Sequence, residues 1–377
     1  MSKKAKKVIC AMSGGVDSSL AAALLKKAGF NVIGVFMKFW TEPAGFSAEK
    51  WNRCCSPESE TKARKVAGNL KIPFYVFNFE KEFKKKIVDY FLKEYKANVT
   101  PNPCVVCNKE IKFGLLLEKA LKLEADLVAT GHYARLVNEA KASFSSSRLA
   151  TARRSLAEDK AQQLKLLKGR DKEKDQSYFL WQLNQRQLGH IMFPVGNYTK
   201  KEVRSLAKSF KLPVLDRKES QEICFVPDTV SDFLSRQLRT EPGKITDRKG
   251  KILGRHSGLY LYTIGQRKGI RLPQGPYYVL GKDLKKNLLI VTKNEKDLLG
   301  KELKAKEVNW ISGKKLKFPL KVKARIRYGH KEMPAVIKKS TGKNVKVVFA
   351  KAQRAITPGQ SVAFYKGQEL LGGGIIC

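Results

Sequence analysis

The chain has 377 residues, 42% hydrophobic and 29% charged, which excludes a disordered tail and allows two or three domains with cores of their own. Its 75 Lys and Arg against 34 Asp and Glu give a formal net charge of +41, so we expect a polyanionic partner, nucleic acid first, rather than a basic surface that serves only solubility. The sequence has no apolar run of about 18 residues, so no membrane span is predicted. The first lysines lead into a strand instead of a signal peptide, so we expect a cytoplasmic protein with no membrane contact.

Short apolar runs alternate with helical segments from the first residues to about Thr130. Strands are predicted in VICAM, VIGVFM, FYVFNF and DLVAT, and helices over residues 18–27, after Pro57, from Lys81 and from Asn108. Strands that alternate with helices form a doubly wound parallel sheet, whose ligands bind at the carboxyl ends of the strands. We therefore predict an α/β fold for this part of the chain.

Composition changes several times after Thr130. Residues 138–164 are polar and rich in Ser and Ala, which predicts an inserted surface segment, and helical patterning returns over residues 170–215. A glycine-punctuated, β-rich stretch follows. Short alternating strands take over from about residue 300, where 18 Lys and Arg stand against 4 Asp and Glu. We predict three domains: an α/β domain over residues 1–226, a small β-rich domain over 227–299 and a basic C-terminal β-barrel over 300–377.

One stretch of the basic segment, LKVKARIRY, has a period of two. Lys321, Lys323, Arg325 and Arg327 alternate with three apolar residues, so a strand would carry all four cations on one face. On a chain with this net charge, we interpret that face as a ridge that contacts phosphates.

A Ser- and Gly-rich stretch, AMSGGVDSS, lies between the first predicted strand and the first predicted helix. Backbone amides and hydroxyls at a helix N-terminus bind anions such as phosphates, and the helix dipole adds to the attraction. Asp17 is a candidate ligand for a Mg²⁺ ion that bridges phosphates. The hexapeptide SGGVDS resembles the PP-loop of the ATP pyrophosphatases, which implies ATP as a substrate. The predicted phosphate-binding residues are Ala11, Met12, Ser13, Gly14, Gly15, Val16, Asp17 and Ser18.

Seven cysteines, an odd and low number, suggest catalysis or metal binding in a reducing compartment rather than a disulfide framework. Cys104 and Cys107 stand three apart in TPNPCVVCNKEIKF, a spacing that suits a metal clip, a disulfide, or one nucleophile beside a bystander. We predict that Cys107 begins a helix whose first turns carry Lys109 and Lys112, because the dipole and both cations then favour thiolate over thiol.

The other cysteines carry less information. From its tripeptide Ile-Cys-Phe alone, Cys224 is a small hydrophobic packing residue. Cys54 and Cys55 are adjacent, and neighbouring cysteines bind one metal ion or each other poorly, so we interpret both as structural or accidental. Cys10 belongs to the first strand and Cys377 is terminal.

Four motifs narrow the family resemblance. PNPCVVCNKEIKF, TGHYAR, KDQSYFL and QEICFV follow one another in the order typical of the tRNA-specific 2-thiouridylases, and the resemblance covers nearly the whole chain, including the basic end. It implies an enzyme that uses MgATP to adenylate the C2 oxygen of uridine 34 in the tRNA anticodon, with release of pyrophosphate. Sulfur from a persulfide on Cys224 then displaces AMP, and Cys107 is the nucleophile that frees sulfide or resolves the persulfide as a disulfide.

The resemblance also implies binding residues and partners. Met37 and Gly131 are expected to line the adenosine site, while His132 is either a contact to the target base or a packing residue. The target base must leave the anticodon stack to be reached. The expected tRNA contacts are Asn102, Pro103, Cys104, His132, Lys174, Asp175, Gln176, Arg327, Tyr328 and Gln360. The expected partners are tRNAs for Glu, Gln and Lys, and a persulfide donor such as a cysteine desulfurase or a relay protein.

Three alternatives stay open on the sequence. Cys104, Cys107 and Cys224 are candidate ligands of an iron–sulfur cluster, since three thiolates would leave one iron open to carry sulfur. Zinc fits less well, because a closed structural site needs four ligands. The second alternative is another PP-loop enzyme that modifies a different tRNA nucleotide. The third is an RNA-binding protein that holds ATP without catalysis.

Overall fold

A computed structural model describes residues 5–42, 56–138, 163–213 and 223–377. Most of the predicted inserted segment, and the Cys54 and Cys55 pair, lie outside the described residues. Within the described ranges, no helix is both long enough and apolar enough to cross a membrane.

The described residues form strands and helices that we number along the chain. The strands are β1 (Lys7–Ala11), β2 (Asn31–Lys38), β3 (Phe74–Asn78), β4 (Leu127–Ala129), β5 (Ala134–Asn138), β6 (Leu164–Lys168), β7 (Ile191–Met192), β8 (Gly243–Thr246), β9 (Ile252–His256), β10 (Tyr278–Asp283), β11 (Leu288–Thr292), β12 (Leu299–Trp310), β13 (Leu320–Arg325), β14 (Met333–Lys339), β15 (Val345–Arg354), β16 (Ser361–Lys366) and β17 (Glu369–Ile376). The helices are α1 (Val16–Lys27), α2 (Pro57–Asn69), α3 (residues 80–96), α4 (residues 103–122), α5 (Gln185–Leu188), α6 (Lys200–Ser209) and α7 (Val230–Gln237).

The first sheet is parallel throughout and has the spatial order β3, β2, β1, β4, β7. From β1 the chain runs outward through β2 to β3, and it then returns to the other side of β1 as β4. The carboxyl ends of β1 and β4 therefore flank the point where strand order reverses, which is where ligands bind in such sheets. The predicted α/β class is confirmed.

Several helix starts follow from local capping. Ser56 accepts a hydrogen bond from the Ser59 amide with Pro57 in the first turn, and Thr199 forms a capping box with Glu202 at the start of α6. Two helix predictions need correction. Helix α4 begins at Pro103 rather than Asn108, because proline fits the first helical position, and QSYFLWQL forms only one turn, Ser177–Leu180.

The remaining strands build two further sheets. Strands β8 to β11 form a four-stranded sheet around a small core that includes Ile245, Val279 and Leu289. Strands β12 to β17 form a six-stranded antiparallel barrel, which closes because β12 pairs with both β15 and β17. The predicted β-rich centre and C-terminal β-barrel are confirmed.

The barrel is joined to the α/β part of the chain by backbone and by packing. Strand β17 pairs with β6 at Glu369 and Leu167, and β6 pairs with β5, so these two antiparallel strands extend the barrel sheet. Trp181 is fully buried beside Gly373, where a β-carbon would come within 2.7 Å of the Trp181 ring. The side-chain nitrogen of Asn309 donates to the carbonyl of Trp181 over 2.7 Å.

The predicted ridge of four cations is only partly formed. In β13 the apolar residues are buried as expected, and Lys321 and Lys323 are exposed. Arg325, however, points into the protein, where it pairs with Asp175 at 3.2 Å and with Glu332 at 2.7 Å. Arg327 lies beyond the end of the strand. The exposed ridge therefore consists of two lysines, because a buried carboxylate pair holds Arg325 on the inside.

Candidate active site

The PP-loop connects β1 to α1 and is closed by its own serines. The Ser18 hydroxyl donates to the carbonyl of Gly15 at 3.1 Å and accepts from the Ser13 amide at 3.2 Å. Gly14 has a φ of 69°, and a β-carbon there would overlap the carbonyl oxygen of Ser59. The loop is thus fixed before any ligand arrives, with the amides of the first turn of α1 at its base.

Gly131, after β4, lies directly against the PP-loop. A β-carbon at this position would come within 2.7 Å of the Ser18 amide nitrogen and 2.8 Å of the Asp17 carbonyl carbon. Only glycine allows this approach, so the two loops at the switch point of the sheet meet at van der Waals distance.

One cavity of about 720 Å³ extends from the PP-loop to α4 and the start of the described segment at Ile223. The predicted site residues that line it are Ala11, Met12, Ser13, Gly15, Val16, Asp17, Ser18, Met37, Pro103, Cys104, Cys107, Gly131, His132, Lys174, Gln176, Cys224 and Tyr328. Those that do not are Gly14, Asn102, Asp175, Arg327 and Gln360. The structure therefore brings the phosphate loop and three cysteines into one chamber.

An ion pair stands at the phosphate end of the cavity. Lys200, the first residue of α6, is 8% exposed, and its Nζ lies 2.8 Å from both carboxylate oxygens of Asp17. The hydroxyl of Tyr133 donates to the same carboxylate over 2.7 Å. The Asp17 side chain stays one-third exposed. Its hard oxygen ligands at the mouth of the phosphate loop suit a Mg²⁺ ion that arrives with a nucleotide.

The positions of the cysteines revise the argument from helix polarity. Because α4 begins at Pro103, Cys104 lies in its first turn and is exposed, whereas Cys107 comes one turn later and is 7% exposed. The dipole acts mainly within the first turn. Of the two lysines predicted to act on Cys107, Lys112 lines the same cavity and Lys109 does not.

Cys224 is not the packing residue of its segment. Its neighbour Phe225 is 2% exposed and packs edge-on against Phe83 and Phe91 at centroid distances of 5.8 and 5.2 Å. This anchor leaves Cys224 half-buried on the cavity wall, whereas its tripeptide alone predicts a fully buried packing residue.

The described residues offer no preformed ligand set for a metal. Nowhere within them do three His, Cys, Asp or Glu side chains stand close enough to hold one ion, and this includes Cys104, Cys107 and Cys224. The hypothesis of an iron–sulfur cluster on these cysteines is therefore not supported by the structure.

His132 enters the cavity as a neutral ring. Burial, and then the charge of Lys112, hold the pKa of His132 well below its ordinary value. One ring nitrogen lies 2.7 Å from the Thr130 hydroxyl, and the ring packs against Phe113 and Phe193. An uncharged imidazole held in this way can offer a hydrogen bond to a base without adding a positive charge.

An aromatic pair stands at the cavity wall. The rings of Tyr328 and Phe179 lie 4.5 Å apart, and Tyr328 is 40% exposed. The side-chain nitrogen of Asn108 donates to the carbonyl of Phe179 over 3.2 Å, which ties the turn after Gln176 to α4. An exposed ring such as that of Tyr328, beside a cavity of this size, is suited to stacking on a nucleobase.

The four predicted tRNA contacts outside the cavity are held by the protein itself. Asp175 is 3% exposed and accepts hydrogen bonds from the amides of Gly169 and Ser177, each at 3.1 Å, so its carboxylate organises the loop that carries Lys174 and Gln176. The other three are Asn102, which bonds to Tyr178, Arg327, which donates to Thr357, and Gln360, which donates to the carbonyls of Thr100 and Pro101.

Comparisons with known proteins agree along the whole chain. Residues 6–228 match the family model described as tRNA methyl transferase HUP domain, residues 231–293 the tRNA methyl transferase PRC-barrel domain, and residues 300–376 the aminomethyltransferase beta-barrel domain. The chain is 47% identical to the tRNA-specific 2-thiouridylase MnmA 2 of Thermoanaerobacter sp. strain X514, with 98% of this chain and 97% of the relative covered. It belongs to the tRNA-specific 2-thiouridylase family. Identity is 48% to MnmA 1 of Caldanaerobacter subterraneus subsp. tengcongensis, over 98% and 97% of the two chains, and 46% to MnmA of Halothermothrix orenii, over 98% of each.

For a member of the 2-thiouridylase family, the cavity holds functional side chains that the sequence did not predict there, among them Tyr133, Phe179, Lys112 and Lys200. Lys200 was predicted only as part of a helix, and its capping box gave no sign of which way the side chain faces. Tyr133 lies in the motif TGHYAR and Phe179 in the motif KDQSYFL, and membership in these motifs is the sequence feature that points to them.

Proposed function

We propose that this protein replaces the C2 oxygen of uridine 34 in the tRNA anticodon with sulfur, at the expense of ATP. The observation that carries the proposal is the shared cavity: the PP-loop, Cys107 and Cys224 all line one chamber of about 720 Å³. A nucleotide site and two thiols in contact with the same space suit a reaction that first activates an oxygen and then replaces it with sulfur.

In the first step, the C2 oxygen of the base attacks the α-phosphorus of ATP and pyrophosphate leaves. The PP-loop amides and the hydroxyls of Ser13 and Ser18 bind the phosphates, and Lys200 supplies positive charge where the leaving pyrophosphate gathers negative charge. Mg²⁺, held by Asp17 and the phosphates, would add further charge neutralisation. The oxygen is thereby converted into AMP, a much better leaving group.

In the second step, sulfur that Cys224 carries as a persulfide displaces AMP from C2. The Cys107 thiolate attacks Sγ of Cys224 by one of two routes. In the first, this attack releases the terminal sulfur as sulfide, which then displaces AMP; in the second, it follows after the terminal sulfur has bonded to C2. Both routes end in thiouridine, AMP and a disulfide between Cys107 and Cys224, which a thiol must reduce before the next turnover. This assignment is supported by the two cysteines' lining of the same cavity.

The tRNA is proposed to lie across the cavity mouth and the barrel. Lys174, Gln176 and His132 line the chamber, and Tyr328 offers an exposed ring beside it. Lys321 and Lys323 extend the positive surface along β13. The proposed substrates are the tRNAs for Glu, Gln and Lys, and the proposed sulfur source is a cysteine desulfurase or relay protein that transfers a persulfide.

The test uses unmodified tRNA with uridine or cytidine at position 34, ATP and a sulfide or persulfide donor in air, with thiolation scored by mercury-gel retardation and pyrophosphate measured separately. We expect thiolation only of the uridine tRNA. Cys107→Ser and Cys224→Ser should abolish the persulfide-driven product while pyrophosphate release continues, and Cys377→Ser, at the exposed terminus, should match wild type.

Two results would overturn the proposal. Thiolation or adenylation of a different nucleotide would make the protein another PP-loop tRNA-modifying enzyme. Tight tRNA binding with no pyrophosphate release under any sulfur source would make it an RNA-binding protein whose ATP is not consumed.

A further inference from the structure

The loop that leads into the cysteine helix α4 is gripped by one turn of the C-terminal barrel. The side-chain nitrogen of Gln360 donates to the carbonyls of Thr100 and Pro101, each at 3.0 Å, and the Thr100 amide donates to the carbonyl of Pro358 at 3.1 Å. Both partners of the Gln360 amide are carbonyl oxygens, which only accept, so its orientation is fixed. Three hydrogen bonds thus cross from the barrel to a loop some 260 residues away in sequence.

The barrel turn, residues 357–361, is itself rigid. The Gly359 amide donates to the carbonyl of Ile376, and the Ile376 amide donates to the carbonyl of Gln360, both at 2.8 Å. Gly359 has a φ of 88°, and a β-carbon there would overlap the Val99 side chain and come within 2.7 Å of the Thr100 carbonyl oxygen. The turn therefore meets the loop at the closest distance that two backbones allow.

Two more contacts hold the same loop. The hydroxyls of Thr100 and Thr263 lie 3.2 Å apart, which connects the loop to the central β-rich region. The Tyr178 hydroxyl donates to the carbonyl of Ser361 at 2.9 Å and also bonds to the Asn102 side chain. The loop is therefore fixed by residues from three parts of the chain, immediately before α4 begins at Pro103.

We propose that the barrel turn positions Cys107, and that Gln360 is a positioning residue of the thiolation step rather than a direct contact to tRNA. The Gln360 bonds fix Thr100 and Pro101, Pro103 starts α4 two residues later, and Cys107 follows one helical turn on. Any shift of the loop moves the start of α4 and with it the thiol. The inference rests on the proposed role of Cys107 as nucleophile.

The test compares Gln360→Glu with Gln353→Glu in the full-length protein. Gln360→Glu keeps the size of the side chain but turns an oxygen toward two carbonyl oxygens, which repel it. Gln353→Glu is the matched control, since it places the same charge on the same barrel, where the Gln353 side chain donates to the carbonyl of the exposed Lys351. A third variant, Gln360→Met, removes the donor without adding charge.

The first readouts are made without tRNA. We expect Gln360→Glu to speed deuterium exchange of the Thr100 amide by about tenfold, as the loss of roughly one hydrogen bond would do. In a Cys104→Ser background, the rate of Cys107 alkylation should change by about fivefold or more, with Gln360→Met shifting both rates in the same direction by less. Gln353→Glu should shift neither.

The second readouts separate positioning from tRNA contact. We expect thiolation kcat of Gln360→Glu to fall by about tenfold while the Kd for tRNA stays within about threefold of that of the control. Unchanged exchange and alkylation together with a weaker Kd would overturn the inference and make Gln360 a tRNA contact. Exchange and alkylation need no turnover, so they test the positioning of Cys107 apart from its proposed role. If Gln360→Glu changes both rates but Cys107→Ser still thiolates tRNA, the proposed role of Cys107 is wrong.

Discussion

Lys200 Nζ lies 2.8 Å from both carboxylate oxygens of Asp17, although 183 positions separate the two residues in the chain. Asp17 belongs to the PP-loop and Lys200 to the first turn of α6, so the pair closes the phosphate end of the cavity. Asp17 would hold the proposed Mg²⁺ ion, and Lys200 would then be able to contact the phosphates of a bound nucleotide. In the proposed adenylation step, Lys200 would supply positive charge at the phosphates.

Replacement of Lys200 is therefore expected to impair adenylation. Lys200→Met should lower kcat/KM for tRNA-dependent pyrophosphate release by about 100-fold or more, since it removes a charge that acts on the transition state. Lys201→Met is the control, because its side chain is exposed on the same helix and its neighbour keeps the ion pair. Equal activity of the two variants would show that Lys200 only balances Asp17.

Gly131 is expected to tolerate no side chain. In Gly131→Ala the new methyl group would meet the backbone of Ser18 and Asp17 at 2.7 and 2.8 Å, and backbone cannot swing aside as a flexible side chain can. The free energy of unfolding should fall by about 1–3 kcal/mol, and the KM for ATP should rise. Urea denaturation and pyrophosphate release measure the two effects.

Gly68→Ala is the matched substitution for that experiment. Gly68 lies in α2, and a β-carbon there would meet nothing within 4 Å. It should raise stability by about 0.5–1 kcal/mol, because alanine loses less backbone entropy in a helix. A Gly131→Ala protein as stable and active as Gly68→Ala would contradict the close packing of the two loops.

Binding of tRNA is expected to weaken steeply with salt, because each phosphate that the protein neutralises releases counterions. Lys323→Ala should reduce the slope of log K against log salt by about one. Lys122→Ala, an exposed lysine at the far end of α4, should leave the slope as in wild type. Filter binding from 50 to about 300 mM salt would measure both, and a flat wild-type curve would mean that the +41 charge serves another purpose.

Stability should depend on pH through His132. The folded protein lowers the pKa of His132, so it keeps the ring neutral where the unfolded chain takes up a proton, below about pH 6.5. The unfolded state then binds more protons, and the free energy of unfolding falls as pH decreases. His132→Gln removes this dependence, so it should lose less stability than wild type from pH 7 to pH 5, by up to about 1.4 kcal/mol per pH unit.

The measurement is urea denaturation of both proteins at several pH values. The pKa values of His256 and His330 are also lowered, by burial first, but both residues are present in the two proteins and their effects cancel in the difference. Parallel stability curves for wild type and His132→Gln would mean that His132 is protonated as readily in the folded protein as in the unfolded chain.

The sequence predicted what depends on neighbours in the chain. Apolar runs that alternate with helical segments predict the parallel sheet, and the resemblance of SGGVDS to a known motif predicts the PP-loop at the end of β1. What it could not predict depends on residues that only the fold brings together: Lys200 on Asp17, and Arg325 turned inward by Asp175. The predicted start of α4 is wrong for a local reason. The prediction rests on the basic residues after Asn108, whereas Pro103 suits the first position of a helix.

The pairing of β17 with β6 bears on how far the parts of this protein can be exchanged. A barrel cut at residue 300 would lose the two strands that continue its sheet and the Trp181 ring that packs beside Gly373. A chimaera between two relatives should therefore transfer residues 134–183, which include both strands and Trp181, together with the barrel. A graft that transfers only the residues from 300 onward would leave one edge of the barrel sheet unpaired. It would also leave the space of the Trp181 ring unfilled.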